Sequence, residues 1–112
     1  MPEMSEEITM KDFKMLKIRI GTVAEVEKVP GSDKLYRMKV DMGDEVRQII
    51  TGLVGYYTAD ELKGKVIAVL TNLKPARIFG QISYGMLLAA EFDGKLALLT
   101  TDRAIPNGAI IT

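Results

Sequence analysis

From Asn72 to Ala90 the chain reads Asn72-Leu73-Lys74-Pro75-Ala76-Arg77-Ile78-Phe79-Gly80-Gln81-Ile82-Ser83-Tyr84-Gly85-Met86-Leu87-Leu88-Ala89-Ala90. An apolar strand, Val66 to Leu70, runs into this stretch, which begins with a turn rich in Asn, Lys, Pro and Arg and continues as a glycine-marked loop. The almost wholly apolar run Met86 to Ala90 closes it. A polar, basic loop between two buried strands is a candidate binding site, because rigid strands hold the groups of the loop in position.

Length and composition favour one small domain without a catalytic centre. The chain has 112 residues, 47% of them hydrophobic, so we expect a single domain over 1–112 with a modest core and a flexible lead-in over 1–8. It contains no Cys and no His, which removes disulfides, the commonest general base and the commonest metal ligand. Any catalysis would rest on Asp, Glu, Lys, Tyr, Ser or Thr, and no GxxxxGKS/T phosphate loop is present. We therefore expect no enzymatic activity, no cofactor and no metal site.

The sequence also bears on where the protein works. No apolar run approaches the roughly 18 residues needed to cross a membrane. The first residues are acidic, with Glu3, Glu6 and Glu7, whereas a signal peptide begins with basic residues. We therefore expect a cytoplasmic protein that does not enter a membrane.

Charged residues are unevenly distributed along a chain of zero net charge. Residues 11–40 carry a net charge of +4, residues 41–62 carry −4, and residues 63–81 carry +4 with no acid among them. Two basic blocks separated by an acidic one form a basic face if the fold brings them together. The alternative is an ordinary solvated surface, which composition alone favours.

Hydrophobic periodicity and turn residues predict mostly strands. Thr9 and Thr58 are helix N-cap candidates, and alternation of Ile18, Ile20, Thr22, Ala24 and Val26 predicts a long, half-buried first strand that curls at Gly21. The predicted elements are a helix over 9–16, strands over 17–29, 35–42 and 46–51, a helix over 57–64, strands over 65–70, 84–92 and 95–100, and a last apolar piece over 109–111. This order is typical of an all-β, five-stranded OB-fold barrel with short helices and terminal extensions, although another small barrel would fit it.

A few side chains are candidates for nucleic-acid or metal contacts. Tyr36, which lies among basic residues, and Phe79, close to Arg77, are candidate stacking platforms for bases, although partial burial in the core is the commoner role for such residues. The acidic group Asp41, Asp44 and Glu45 would allow a loose cation site, but a polar hairpin turn explains it better.

The order of the motifs resembles one known family. Asp12-Phe13 followed by Leu16 to Gly21, then Asp33-Lys34-Leu35, then Val40 to Gly43 with Arg47 to Gly52, are similar to successive motifs of the tRNA-binding domain that accompanies methionyl-tRNA synthetases. The most specific match is Asn72-Leu73-Lys74-Pro75 with Gly80, Ser83 and Gly85-Met86. The same domain occurs in the endothelial-monocyte-activating-polypeptide group. The resemblance covers the chain from about Asp12 to Ile111.

The resemblance implies a fold, an activity and a set of contacts. It implies an OB barrel that forms a homodimer through its terminal extensions, binds tRNA without catalysis, and works alone or beside a methionyl-tRNA synthetase catalytic chain. Recognition in this family relies on tRNA shape and backbone more than on sequence. Lys34, Lys74 and Arg77 would contact phosphates, Phe79 would stack on a base, and Met86 would pack under the loop and fix it. Asn72 and Ser83 would bond ribose, a base edge or the loop backbone.

The chain departs from the family pattern in its basic loop. Many relatives carry a basic residue where Ala76 stands and another near Phe79, so fewer phosphate contacts and weaker, more partner-dependent binding are expected here. A protein-export chaperone of the CsaA type, which binds unfolded polypeptides, shares the fold and is the alternative function. Its equivalent loop lacks the apolar run of Gly85 to Ala90, so this run favours the tRNA-binding branch.

Overall fold

The computed structural model describes residues 6–112. The predicted flexible lead-in lies mostly outside the described residues and stays a prediction. The described elements are α1 (Met10–Phe13), β1 (Ile18–Lys28), β2 (Tyr36–Asp41), β3 (Val46–Thr51), α2 (Ala59–Leu62), β4 (Val66–Leu70), β5 (Ala76–Ile78), β6 (Gln81–Ser83), β7 (Met86–Leu87), β8 (Ala89–Phe92) and β9 (Lys95–Leu98). Among them no helix is long and apolar enough to cross a bilayer.

A curled five-stranded antiparallel sheet forms the body of the protein. Its strands lie in the order β3-β2-β1-β4-β7. The free edge of β3 turns towards the chain around β6, where the Tyr84 amide donates to the Gln48 carbonyl (2.9 Å) and the Ile50 amide donates to the Ser83 hydroxyl (3.0 Å). The result is an OB-like half-barrel, which confirms the predicted fold.

The first strand contributes to two hydrophobic cores. Its pairing with β2 shifts by one residue between Val23 and Glu25, so the strand contains a β-bulge at this point. Ile18 and Ile20 pack with Ala68, whereas Val23 packs with the main core inside the curl. The predicted single buried face is therefore wrong: Val23 faces the side opposite to Ile18 and Ile20 by ordinary alternation, and both faces of the strand are buried in part.

Glycine at position 21 allows the strands to approach closely where the sheet curls. A Cβ at Gly21 would lie 2.8 Å from Val40 Cγ1 and 3.0 Å from the Asp41 carbonyl oxygen. Real side chains do not approach so closely in a packed core, so a larger residue would force the strands apart. The interior glycine is thus explained by close packing against β2, and a curl at Gly21 itself stays a prediction.

Both short helices begin where the sequence predicts. Thr9 and Thr58 each accept a hydrogen bond from the third helical residue, Asp12 or Glu61, whose carboxylate accepts one in return from the cap amide. These reciprocal bonds satisfy amide donors that a helix start leaves free. The first helix is shorter than predicted, since it ends at Phe13 rather than at Leu16.

The segment between β4 and β7 is a hairpin and not an irregular loop. β5 and β6 pair with Ile78 opposite Gln81, so Phe79 and Gly80 form a two-residue turn. Both turn residues have positive φ, at 52° and 79°, as a type I′ turn requires. The predicted strand over 84–92 is also divided, into β7 and β8. Sequence reasoning missed the hairpin because Asn or Asp, not Phe, normally marks the first turn position.

The chain end lies beside β1. The Ile20 amide donates to the Ala109 carbonyl and the Ile111 amide donates to the Ile18 carbonyl, both at 2.9 Å. The C-terminal segment therefore continues the sheet along the part of β1 that β2 does not cover. It leaves an apolar groove against the N-terminal helix, lined by Phe13, Leu16, Ile110 and Ile111.

Candidate nucleic-acid interface

The tip of the β5–β6 hairpin packs against the turn between β1 and β2. Carbon Cε2 of the Phe79 ring lies so close to Gly31 that a Cβ there would be 3.2 Å from it. Phe79 keeps a left-handed backbone that costs a bulky residue about 1–3 kcal/mol, and its side chain remains 58% exposed. The contact holds the hairpin that carries Arg77 against the turn that carries Lys34.

Asn72 bonds the loop after β4 to the N-terminal segment. Its Oδ1 accepts from the Lys17 amide at 2.9 Å, and its Nδ2 donates to the Met15 carbonyl at 2.7 Å. The neighbouring Thr71 hydroxyl donates to the Lys17 carbonyl at 2.8 Å. Asn72 thus bonds backbone, but that of the N-terminal segment rather than the loop backbone expected, because its amide offers both a donor and an acceptor to two backbone groups of one segment.

Ser83 links strand β6 to strand β3 through a hydrogen bond. Its side chain is buried, accepts from the Ile50 amide and donates to the Gly85 carbonyl, both at 3.0 Å. Of the partners expected for Ser83, the structure shows the loop backbone, and this buried side chain has a positioning role. A buried hydroxyl that satisfies two backbone groups links β3 to the turn before β7.

Met86 does not pack under the loop, and this expectation is wrong. On β7, Leu87 lies opposite Val69 and is buried, whereas Met86 lies opposite Leu70 and is 50% exposed. Successive residues of a strand face opposite sides, so the burial of Leu87 turns Met86 outward. Met86 thus stays a candidate for contact with a partner rather than a support of the loop.

The exposed cations of this region have no partner carboxylate in residues 6–112. Lys34, Lys74 and Arg77 are all exposed and belong to no ion pair of the described chain. Lysine and arginine side chains with mobile, solvated ends are suited to phosphate oxygens. The Phe79–Gly31 contact places the hairpin that carries Arg77 beside the turn that carries Lys34, and Lys74 lies in the loop that leads into the same hairpin.

Other arginines of the basic blocks serve the fold. Arg37 is paired with Glu27 and donates to Gln81 Oε1, which ties β1, β2 and β6 together. Arg19 donates to Asp44 at 2.8 Å, and this hydrogen bond lowers the pKa of the Asp44 carboxyl below its usual 3.8. The net charge of the first basic block therefore overstates the positive charge that an RNA would meet.

The acidic hairpin is a polar turn with a structural role. Asp41 accepts from the Gly43 amide, and Asp44 and Glu45 pair with Arg19. Among residues 6–112 no group of three acidic side chains is placed to hold a metal ion. The alternative favoured by the sequence, a polar turn, accounts for these carboxylates.

Arg47 is a key residue that sequence reasoning missed. Its Nη1 donates to the Thr71 carbonyl (2.8 Å) and the Tyr84 carbonyl (3.0 Å), and its Nη2 donates to Glu45 (3.2 Å). The guanidinium thus holds both ends of the segment that contains the β5–β6 hairpin. Nothing in the sequence pattern reveals this, because both carbonyls belong to backbone distant in the chain.

Beside Arg47 lies an open cleft of about 600 Å³. Lys39 and Gln48 form one side of it, Leu73 and Pro75 form another, and Tyr84 lies in its wall. The cleft joins the β2–β3 face of the sheet to the loop after β4. OB folds bind oligonucleotides at this combination of surfaces.

The fold and this interface define the class of protein: a small OB-type barrel with a basic hairpin beside the β2–β3 face. Residues 18–110 match the family described as "Putative tRNA binding domain". Since the match covers most of the chain, the protein belongs to the tRNA-binding domain family.

Relatives and solved structures agree with this family. The chain is 51% identical over 106 residues to a methionine–tRNA ligase of Archaeoglobus fulgidus, and this region is 95% of the chain but only 16% of the ligase. The structure resembles a MetRS-related protein from Pyrococcus horikoshii, with a TM-score of 0.90, 34% identity, and 96% and 99% of the two chains covered. It also resembles the chaperone CsaA of Bacillus anthracis, with a TM-score of 0.84, 29% identity, and 95% and 99% covered.

Proposed function

We propose that this protein binds folded tRNA without catalysis, through the hairpin that carries Arg77, the loop that carries Lys74 and the turn that carries Lys34. The observation that carries the proposal is that these exposed cations, which pair with no carboxylate of residues 6–112, lie on or beside a hairpin that is firmly anchored. Phosphate contacts from a rigid platform recognise tRNA by its shape and backbone. Phe79, exposed at the hairpin tip, adds a surface for stacking on a base.

The binding protein assists aminoacylation, alone or beside a methionyl-tRNA synthetase catalytic chain, in the cytoplasm. Support comes from the methionine–tRNA ligases, in which a region 51% identical to this chain is 16% of the protein. A tethered or associated tRNA-binding module raises the local concentration of tRNA near a catalytic chain. Affinity purification from cells should recover tRNA together with a synthetase. Recovery of tRNA without any synthetase would support tRNA binding and contradict the association with a synthetase.

The binding proposal is tested with folded tRNA over a series of salt concentrations. We expect the logarithm of the affinity to fall linearly with the logarithm of the salt concentration, because bound cations release counterions from phosphates. A gel-shift titration measures this dependence. Wild-type protein that leaves tRNA unshifted at low salt would contradict the proposal.

The second candidate function is a chaperone for unfolded polypeptides. The TM-score of 0.84 to CsaA and the exposed apolar groove between the chain ends favour it. The same preparation is therefore assayed for suppression of aggregation of an unfolded client. Suppression without tRNA binding would replace the first function by the second.

We expect no amino-acid activation by this chain. The reason is chemical: it has no His and no nucleotide-binding loop, and its matched relatives are several times longer. An ATP–pyrophosphate exchange assay with methionine measures the activity directly. A rate above that of a heat-denatured control, retained through successive purification steps, would overturn this expectation.

We expect a homodimer joined through the groove between α1 and the chain end. Met15 is 68% exposed, Ile110 is 69% exposed, and both lie in the apolar terminal extensions. Pairing two such surfaces about a two-fold axis would remove them from water. Light scattering at micromolar concentration should give twice the chain mass for wild type and a single-chain mass for Ile110→Asp. Tyr56→Asp, at an exposed tyrosine outside the groove, is the control and should stay dimeric. A monomeric wild type would rule the dimer out.

A further inference from the structure

Tyr84 combines a fixed backbone with an exposed ring. Its amide donates to the Gln48 carbonyl at 2.9 Å, and its carbonyl accepts from Arg47 Nη1 at 3.0 Å. The next residue, Gly85, leaves no space beside the Leu70 carbonyl, since a Cβ there would lie 3.0 Å from that oxygen. The tyrosine side chain is nevertheless 43% exposed and lines the cleft. Because the backbone of Tyr84 is fixed and its ring is exposed to solvent, a flat ligand group can stack on the ring.

One wall of the cleft is apolar and suits the face of a flat ligand. Leu73 is 47% exposed, and it lines the cleft together with Pro75. The volume of about 600 Å³ falls within the range of about 300–1,000 Å³ that small-ligand sites occupy. Aromatic and aliphatic surfaces around such a space provide stacking and apolar contact for one heterocyclic base.

Polar groups at the cleft match the edge and the phosphate of a nucleotide. Gln48 Nε2 is bonded to the Ile82 carbonyl at 2.9 Å, which fixes the amide and leaves its Oε1 as an acceptor for an amino group of a base. Lys39 lies at the same cleft and offers a cation to phosphate. The one carboxylate in the lining, Glu45, is paired with Arg19 and Arg47, so its charge is offset.

We propose that this cleft binds the base of an unpaired nucleotide, which stacks on Tyr84. The proposal rests on the RNA-binding function and adds to it: contacts to phosphates dock the folded tRNA, and the cleft selects molecules that present an unpaired base at the right distance. Stacking accepts any base, because every base has a π-face, and Gln48 Oε1 prefers a base with an amino group.

A tryptophan reporter tests the site without tRNA. The chain contains no Trp, so Tyr84→Trp creates a single fluorescent indole at the cleft. A short single-stranded oligoadenylate should quench this fluorescence, whereas an abasic oligomer of equal length and charge should bind through phosphates alone and leave it unchanged. Equal responses to the two oligomers would overturn the proposal.

Substitution of Tyr84 measures the contribution of the ring to tRNA binding. Tyr84→Ala should weaken tRNA binding about 5- to 150-fold, the effect expected for loss of one stacked base, and should leave the salt slope unchanged. Tyr84→Phe keeps the ring and should bind within about twofold of wild type. If Tyr84→Ala binds tRNA as tightly as wild type, the base site is contradicted and the tRNA-binding function stands. If the Tyr84→Trp protein shows base-dependent quenching but wild type does not shift tRNA, the base site stands and the tRNA-binding function is contradicted.

Discussion

Replacing Lys74 and Arg77 with glutamate is expected to weaken binding to folded tRNA by about 100-fold. Each side chain is exposed, and neither is paired with a carboxylate of residues 6–112. A hydrogen bond to a charged group contributes about 1.5–3 kcal/mol, so loss of two at the lower end is worth about 3 kcal/mol, or about 100-fold in affinity. The introduced carboxylates add repulsion from the phosphates. A gel-shift titration of the two proteins at fixed salt gives the ratio.

The salt dependence of the same variant tests the mechanism. Loss of two phosphate contacts should reduce the slope of log affinity against log salt by about 2. The effect should be similar for different tRNA species, since phosphate contacts carry little sequence information. A slope that stays constant would place these side chains outside the phosphate contacts even if the affinity falls.

A matched control separates local from global charge. Lys63→Glu with Lys95→Glu changes the net charge by the same amount at exposed lysines of other elements, the C-cap of α2 and β9. We expect this control to reduce affinity far less than the Lys74 and Arg77 variant, because exposed charges beyond about 10 Å are largely screened at 0.1 M ionic strength. Equal losses in the two variants would show that only the overall charge matters and would remove the hairpin from the site.

Local patterns in the sequence were sufficient to predict a small barrel but not the shape of its β5–β6 hairpin. Caps such as Thr9 and Thr58 depend on side chains a few residues apart, so they can be read directly from the chain. The β5–β6 hairpin depends on Phe79 adopting a left-handed backbone, which its residue type disfavours and which its contact with Gly31 accompanies. That contact joins segments far apart in sequence, and no local pattern reports it.

The sequence indicates which polar residues of the motif are functional candidates, but it does not predict the role of each. Asn72 and Ser83 stand out by type and position, yet their hydrogen bonds reach residues 15–17 and Ile50, respectively. Motif reasoning therefore places both residues at the binding loop without showing that they hold it rather than touch the ligand. Met86 illustrates the same limit, since the burial of its neighbour Leu87 decides which way it faces.

Counting charges along the chain has a related weakness. Arg19, Arg37 and Arg47 contribute to the net charge in the same way as the lysines, but they are paired with carboxylates and bonded to other groups of the fold. The cations that remain for a ligand include Lys34 in a turn, Lys74 in the loop and Arg77 on the hairpin. Because burial and pairing are tertiary properties, the sequence predicts the total charge of a block and not its usable part.

Replacing Arg47 with methionine is expected to destabilise the protein by about 3 kcal/mol. The change removes hydrogen bonds to the carbonyls of Thr71 and Tyr84, whereas Glu45 loses one of its two arginine partners and keeps Arg19. Each bond from a charged donor contributes about 1.5–3 kcal/mol, and the lower end applies to a side chain that is 22% exposed. Methionine keeps much of the length and apolar stem, so cavity formation adds little. Urea denaturation followed by circular dichroism measures the loss.

The same variant separates anchoring from phosphate contact when it is assayed with tRNA. Arg47 donates its terminal nitrogens to protein groups, so its loss should weaken tRNA binding by loosening the hairpin and should leave the salt slope near that of wild type. Arg103→Met is the matched control: Arg103 is 85% exposed and within residues 6–112 pairs only with the adjacent Asp102, so the stability of this variant should stay within about 0.5 kcal/mol of wild type. If Arg47→Met is as stable as Arg103→Met, the Arg47 guanidinium does not anchor the segment that contains the β5–β6 hairpin. If it instead lowers the salt slope by about 1, as removal of a phosphate contact does, Arg47 belongs to the binding surface itself.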